Sequence, residues 1–185
     1  ISDINRFAPK AKIMHIDADP AEINKNVTVQ FALSGNIDQV LKGIIDKTEA
    51  VPETEWAKTV RNWKEEYKLV FPDDGTLRPS HIIKKFNELT GGDAIVTTEV
   101  GQNQIWAAQF YECNRPRQYI SSGGLGTMGY GTGAAIGAQM ARPDKKVINF
   151  AGDGSFRMNC NELATAVHYK LPVIMAVLNN GTLGM

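Results

Sequence analysis

The sequence predicts an α/β fold: a mostly parallel sheet with flanking helices, preceded by the tail of a second α/β domain. Three observations carry this. Residues 147–151 and 173–178 are short, nearly continuous apolar runs closed by glycine or polar residues. Strands buried on both faces of a parallel sheet look like this. Between them, residues 161–169 have helical composition, and Pro172 stops that helix before the second run. Upstream, residues 93–98 and 117–120 each read as a strand, and each is followed by a polar or glycine-rich turn leading to a helix. The best-defined part, residues 146–180, is therefore a β-α-β unit with polar groups at the carboxyl ends of both strands. Ligands bind at those ends in open α/β sheets.

Composition narrows the classes. The chain has 185 residues, 43% of them apolar, with 20 basic and 20 acidic side chains. That suits one full core and part of another. A net charge of zero gives no electrostatic case for nucleic acid or an anionic membrane. No apolar run approaches a membrane span, and no signal peptide is visible. Cys113 and Cys160 lack metal spacing and read as reduced thiols of a cytoplasmic protein.

In chain order, residues 12–17 read as a strand and residues 19–23 as a turn or short helix start. Residues 27–33 form a second strand, and residues 37–45 a helix with Ile37, Val40, Leu41, Ile44 and Ile45 on one face. Two strands and a helix bury little core alone, so residues 1–48 read as the end of a larger domain. Residues 49–77 form a linker. Its charged helix, residues 55–68, carries an aromatic stripe of Trp56, Val60, Trp63 and Tyr67, expected to pack. Residues 71–75 make a turn.

The second domain is expected over residues 78–185. Pro79 or Ser80 starts a helix through Leu89, ended by Gly91 and Gly92. The strand at 93–98 leads through Glu99, Val100, Gly101, Gln102, Asn103 and Gln104 into a helix ending near Tyr111. After the strand at 117–120 comes a glycine-rich stretch and a small-residue helix, residues 134–140. Residues 124–129 spell G-x-G-x-x-G after a strand, so a dinucleotide fold is a rival reading, with Asp153 as the ribose-binding acid. Alone, that motif is weak.

The chemistry concentrates at the two strand ends of the β-α-β unit. Gly152 and Gly154 let the backbone turn tightly and approach a ligand, and the amides of Gly154 and Ser155 suit a phosphate. Asp153 supplies a hard oxygen and Asn180 an amide oxygen. With phosphate oxygens these describe a Mg²⁺ site holding a diphosphate. Taken singly, Asp153 also reads as a helix cap and the Asn179–Asn180 pair as a turn.

Gly152-Asp153-Gly154-Ser155 followed by Asn179-Asn180, with Asn180 27 residues after Asp153, resembles the thiamine-diphosphate motif. The surrounding text, Phe150 to Phe156, Asn161 to Ala166 and Leu183-Gly184-Met185, is similar to the catalytic subunit of acetolactate synthase (acetohydroxyacid synthase). The resemblance covers nearly the whole chain and implies a C-terminal fragment, truncated at its own C-terminus. The implied function is thiamine-diphosphate-dependent decarboxylation of pyruvate and transfer of the two-carbon unit to a second 2-oxo acid, in branched-chain amino acid biosynthesis. By resemblance, Asp153, Asn180 and the backbone carbonyl of Thr182 ligate Mg²⁺. Gly101, Gln102, Asn103, Gly126, Gly152, Gly154 and Ser155 surround the thiamine diphosphate, and Met128 wedges under its middle. Asn103 stands where the family often has His and keeps a donor for a phosphate.

Residues 1–48 resemble the end of the central domain that carries FAD, with Asp17 and Gly35 near its adenosine part. The family usually has Asp after that glycine; here it is Asn36. The implied partners are 2-oxo acids, a second copy of the chain or more, and a regulatory subunit, in the cytoplasm. No residue of this chain is expected to be catalytic. In the family the activating glutamate comes from an N-terminal domain of a neighbouring subunit, and Glu99 and Glu162 match positions on the other side of the cofactor. The chain alone is therefore expected to make no acetolactate. Rival readings are pyruvate oxidase, glyoxylate carboligase, a nicotinamide-dependent dehydrogenase and a non-catalytic cofactor-binding fragment.

Overall fold

A computed structural model describes residues 3–72 and 74–185. Ile1 and Ser2, at the head of the expected first segment, and Asp73, within the expected turn, lie outside the described residues. The chain divides into two compact units, one ending at Leu69 and the other spanning Val70–Met185.

In the first unit, β1 (Met14–Asp17) and β2 (Phe31–Ser34) pair in parallel, with Asp17 opposite Ser34. The second strand is shorter than its apolar pattern suggests. Asn24 adopts a left-handed conformation and its side chain accepts the Val29 amide at 2.9 Å, holding that stretch as a loop. A helix, α1 (Ile37–Ile45), follows with the expected bounds, and the Asn36 side chain caps it by accepting the amides of Asp38 and Gln39. Leu33, Ile37, Leu41 and Ile45 are exposed, so this unit buries little apolar surface. Helix α2 (Glu55–Glu66) carries the aromatic stripe. Trp56 and Trp63 meet edge to face at 5.5 Å, but both are exposed, so the expected packing is confined to the stripe itself.

The second unit opens with α3 (Pro79–Thr90), which has Pro in its first turn and Gly91 in the left-handed conformation as its C-cap. Next come β3 (Ile95–Thr98), α4 (Gln102–Phe110), β4 (Tyr119–Ser121), α5 (Tyr130–Ala141), β5 (Val147–Gly152), α6 (Asp153–Asn159), α7 (Leu163–His168) and β6 (Ile174–Leu178). The four strands form one parallel sheet in the order β4-β3-β5-β6.

Alternate strand residues face opposite layers. Val96, Ile148 and Phe150 pack against Ile83 of α3 and Ala107 and Phe110 of α4. Phe150 is fully buried and meets Phe86 edge to face at 5.4 Å. Truncating such a ring to alanine costs about 3–5 kcal/mol. On the other face, Ile95 and Val147 pack against Ala135 of α5. The sheet is thus covered on both sides, as its apolar strands require.

From β3 the chain moves outward to β4, then crosses back to β5 on the far side of β3. That reversal opens a crevice beyond the carboxyl ends of β3 and β5. It also weakens the dinucleotide reading. In that fold the acidic residue ends the strand beside the glycine-loop strand, whereas here β3 stands between β4 and β5.

Candidate functional site

A small solvent-open cleft lies at that crevice. Its lining includes Gly101, Gln102 and Asn103 after β3, Met128 before α5, Gly152, Gly154 and Ser155 after β5, and Asn180 and Thr182 after β6. Segments far apart in sequence therefore meet because the sheet brings their strand ends together.

The loop after β5 is tighter than expected. No separate turn follows the strand: Gly152 caps α6 and Asp153 is already its first residue. The expected single helix over residues 161–169 is instead a 3-10 turn at Cys160–Glu162 followed by α7, with α6 ahead of both. Asn159 leaves helical geometry at this break, and its side-chain amide donates to the Gly129 carbonyl at 2.9 Å. Across from Asp153, the Asn180 backbone amide donates to the Asp153 carboxylate at 3.3 Å. The Asn180 side chain donates to Gln102 Oε1 at 2.8 Å, and its Oδ1 accepts the Thr182 amide at 3.2 Å. One asparagine thus ties together the loops after β3, β5 and β6.

The donors suit a divalent cation with a diphosphate. A carboxylate, an amide oxygen and the carbonyl of Thr182 are hard oxygen ligands. Among the described residues there is no cluster of three or more His, Cys, Asp or Glu side chains. The backbone is shaped for close approach: a Cβ on Gly154 would run into Leu183, and one on Gly184 would run into Gln102.

Not every residue expected here lines the cleft. Gly126 sits in an exposed turn, where φ is +68° and its amide donates to the Ser122 carbonyl at 2.9 Å. It does not line the cleft. Asn103 lines the cleft, but its side-chain amide is committed elsewhere. Nδ2 donates to Thr98 Oγ1 at 3.1 Å, to the Glu99 carbonyl at 3.2 Å and to the Phe150 carbonyl at 2.9 Å. Asn103 therefore staples the ends of β3 and β5, and the expected side-chain donation to a phosphate is corrected to this role. The Ser155 hydroxyl is likewise occupied, accepting the Gly129 amide at 3.0 Å, which leaves its backbone amide for a ligand. Met128 lies between these clamps with its methyl group 4.0 Å from where a Cβ on Gly154 would stand.

By resemblance Glu99 is one of the acids nearest the motifs, on the far side of the cofactor from the activating glutamate. It is fully buried, and its Oε2 accepts the Gly131 amide at 2.7 Å. Burial pushes its pKa up from 4.5 to about 7, against the Gly131 hydrogen bond and the nearby Ser155 hydroxyl, which favour the charged form. One signal was available: an acid directly after the last residue of a strand. Glu162 lies apart from the cleft, where it accepts the Thr165 hydroxyl at 3.1 Å.

In the first unit, Asp17 and Gly35 come together at the carboxyl end of the strand pair. The Gly35 amide donates to the Asp17 carbonyl at 3.0 Å, and the Asp17 carboxylate accepts the Asp19 amide at 2.9 Å. Cys113 and Cys160 are free and exposed. Among the described residues, no helix is long and apolar enough to cross a membrane.

Residues 99–185 match the family model described as thiamine pyrophosphate enzyme, C-terminal TPP binding domain. The chain is 43% identical, over its whole length, to the acetolactate synthase isozyme 1 large subunit of Escherichia coli (strain K12), covering 33% of that protein. It is 46% identical to the chloroplastic acetolactate synthase of Arabidopsis thaliana over 98% of this chain and 28% of that one. It is 41% identical to a probable acetolactate synthase large subunit of Methanococcus aeolicus over 99% of this chain and 34% of that one. The chain spans about a third of the length of the curated relatives it matches.

Proposed function

From the premise that residues 99–185 belong to the thiamine pyrophosphate enzymes, as their C-terminal TPP-binding domain, we propose that this chain is the cofactor-holding part of an acetolactate synthase large subunit. The observation that carries the site assignment is the meeting of Asp153, Asn180 and Gln102 at the switch point of the sheet.

In this reading Asp153, Asn180 Oδ1 and the Thr182 carbonyl would hold Mg²⁺, with Oδ1 the oxygen that now accepts the Thr182 amide. Gln102 and the backbone amides near Gly101, Gly154 and Ser155 hold the diphosphate, with the N-terminus of α4 contributing its unpaired amides. Met128 supports the ring system from below with an apolar, adaptable side chain. When bound, thiamine diphosphate supplies the nucleophilic carbon that takes up a 2-oxo acid and lets its carboxylate leave as CO₂. The protein binds, orients and shields it; no nucleophile–base pair of this chain is required. Pyruvate and a second 2-oxo acid are the proposed substrates.

The same proposal assigns residues 1–48 to the end of an FAD-bearing domain, 49–77 to a linker and 78–185 to the thiamine-diphosphate domain. Asp17 offers a carboxylate at a parallel strand end, an acceptor suited to ribose hydroxyls, and Gly35 beside it leaves room for the adenosine. A homodimer or larger assembly, a regulatory partner subunit and a cytoplasmic location belong to this proposal as well.

Calorimetric titration of the chain with thiamine diphosphate tests it. Saturable binding that requires Mg²⁺ is expected, with none for NAD or NADP. Metal-independent binding, or micromolar NAD binding at the glycine stretch 124–129, would overturn the reading.

A further inference from the structure

We propose that Glu99 is a positioning residue for the cleft, holding three of the four segments that build it in register; this rests on the cofactor reading above. Glu99 lies in the strand row of Ile95 and Thr97, which faces α5. Its carboxyl group accepts the Gly131 amide at the start of that helix. Gly131 has no room for a side chain: a Cβ there would run into both Glu99 and Asn149. The helix therefore sits directly on this polar row, with Thr97 donating to the Gly131 carbonyl at 3.1 Å.

Two residues back, Gly129 is clamped by Ser155 and Asn159 of α6. The Ser155 hydroxyl also lies near the Glu99 carboxyl and favours its charged form. A hydroxyl carries one proton and two lone pairs, so it can accept from Gly129 while donating to Glu99. On its backbone side, the Glu99 carbonyl accepts the Asn103 side chain. Glu99 thus joins the loop after β3, the Met128 segment and the Gly-Asp-Gly-Ser loop. Met128 is fixed between Gly129 and the turn before it, so its height under a bound ring is set through this hub.

The charge state matters to the hub. Glu99 Oε1 is buried without a hydrogen-bond partner, as is Asn149 Nδ2. The groups facing the carboxyl are the Gly131 amide of α5, Asn149 of β5 and Ser155 of α6, with Thr97 beside it in β3, and none is charged. A proton on Glu99 removes the cost of an uncompensated buried anion. It also keeps negative charge away from a diphosphate.

Two measurements on the full chain test this. In the first, without ligand, amide resonances are followed by NMR across pH. Those of Gly129, Gly131 and Ser155 should move together with a midpoint near 7 and stay still in Glu99→Gln. Resonances that ignore pH in the wild type would overturn the proposal.

In the second, affinity for thiamine diphosphate with Mg²⁺ is measured. Glu99→Gln, a neutral isostere, should stay within about twofold of wild type at pH 6, while Glu99→Ala should weaken binding about tenfold or more. Equal affinity of wild type and Glu99→Ala would overturn the proposal, as would a Gln variant as weak as the Ala one. Should Glu99→Ala fail to fold, the ratio of wild-type to Glu99→Gln affinity decides. It should fall from pH 6 to pH 8.5, and a constant ratio would overturn the proposal. A wild-type chain that shows the common titration but binds no thiamine diphosphate contradicts the cofactor reading instead, leaving the hub itself established by the first measurement.

Discussion

Asp153 and Asn180 are 27 residues apart in the chain, yet the Asn180 amide donates to the Asp153 carboxylate at 3.3 Å. Adjacent parallel strands, β5 and β6, run into these two residues, and the pairing of Gly152 with Leu178 sets their separation. If they share a metal, Asp153→Ala should reduce Mg²⁺-dependent thiamine diphosphate affinity by at least about 2–3 kcal/mol, roughly 30- to 150-fold. Calorimetry on the folded variant measures this, and an unchanged titration would remove Asp153 from the site.

Met128 and the diphosphate donors act on different ends of the ligand. Met128→Ala should therefore weaken thiamine diphosphate while leaving inorganic diphosphate affinity unchanged. Equal losses for both ligands would show that Met128 acts through the loop rather than under the ring.

Gly131 and Gly133 lie on the same helix and predict opposite outcomes. Gly131→Ala forces a Cβ into Glu99 and Asn149 and should destabilise by about 1–3 kcal/mol. Gly133 is exposed with open space around its Cβ position, so Gly133→Ala should stabilise by about 0.5–1 kcal/mol. Chemical denaturation of the two variants reads both signs, and a stabilising Gly131→Ala would contradict the packing described.

Glu99 gives the fold a pH dependence of definite sign. Its folded pKa is raised, so between 4.5 and about 7 the folded state keeps a proton that the unfolded state has lost. Stability therefore falls as pH rises through that window, by about 3 kcal/mol in total, and then levels off. Glu99→Gln should remove this component and be more stable than wild type at pH 8. A parallel pH profile for the two proteins would show that Glu99 titrates normally.

The strands and helices of the second unit were legible because each apolar run is bounded by its own stop signal. Pro79 and Gly91 mark α3, and Pro172 separates α7 from β6. The Asp153–Asn180 meeting was legible because two strand-end motifs flank one helical stretch. What could not be read were commitments made across the sheet. Asn103 looks like a free donor in the sequence, but strand pairing brings Phe150 to it and uses up its amide. Glu99 signals only an acid at a strand end, and Asn149 signals nothing, until α5 closes over them. The shortness of β2 escaped the apolar pattern because one side-chain bond from Asn24 overrode it.

The most direct test replaces Mg²⁺ with Mn²⁺ in crystals grown with thiamine diphosphate and locates the metal by anomalous diffraction. The account predicts one strong peak bounded by Asp153, Asn180 Oδ1 and the Thr182 carbonyl, at about 2.0–2.2 Å from each oxygen, the spacing of a small hard cation. A metal bound elsewhere, or a diphosphate seated on the glycine stretch 124–129 with no metal at Asp153, would contradict it.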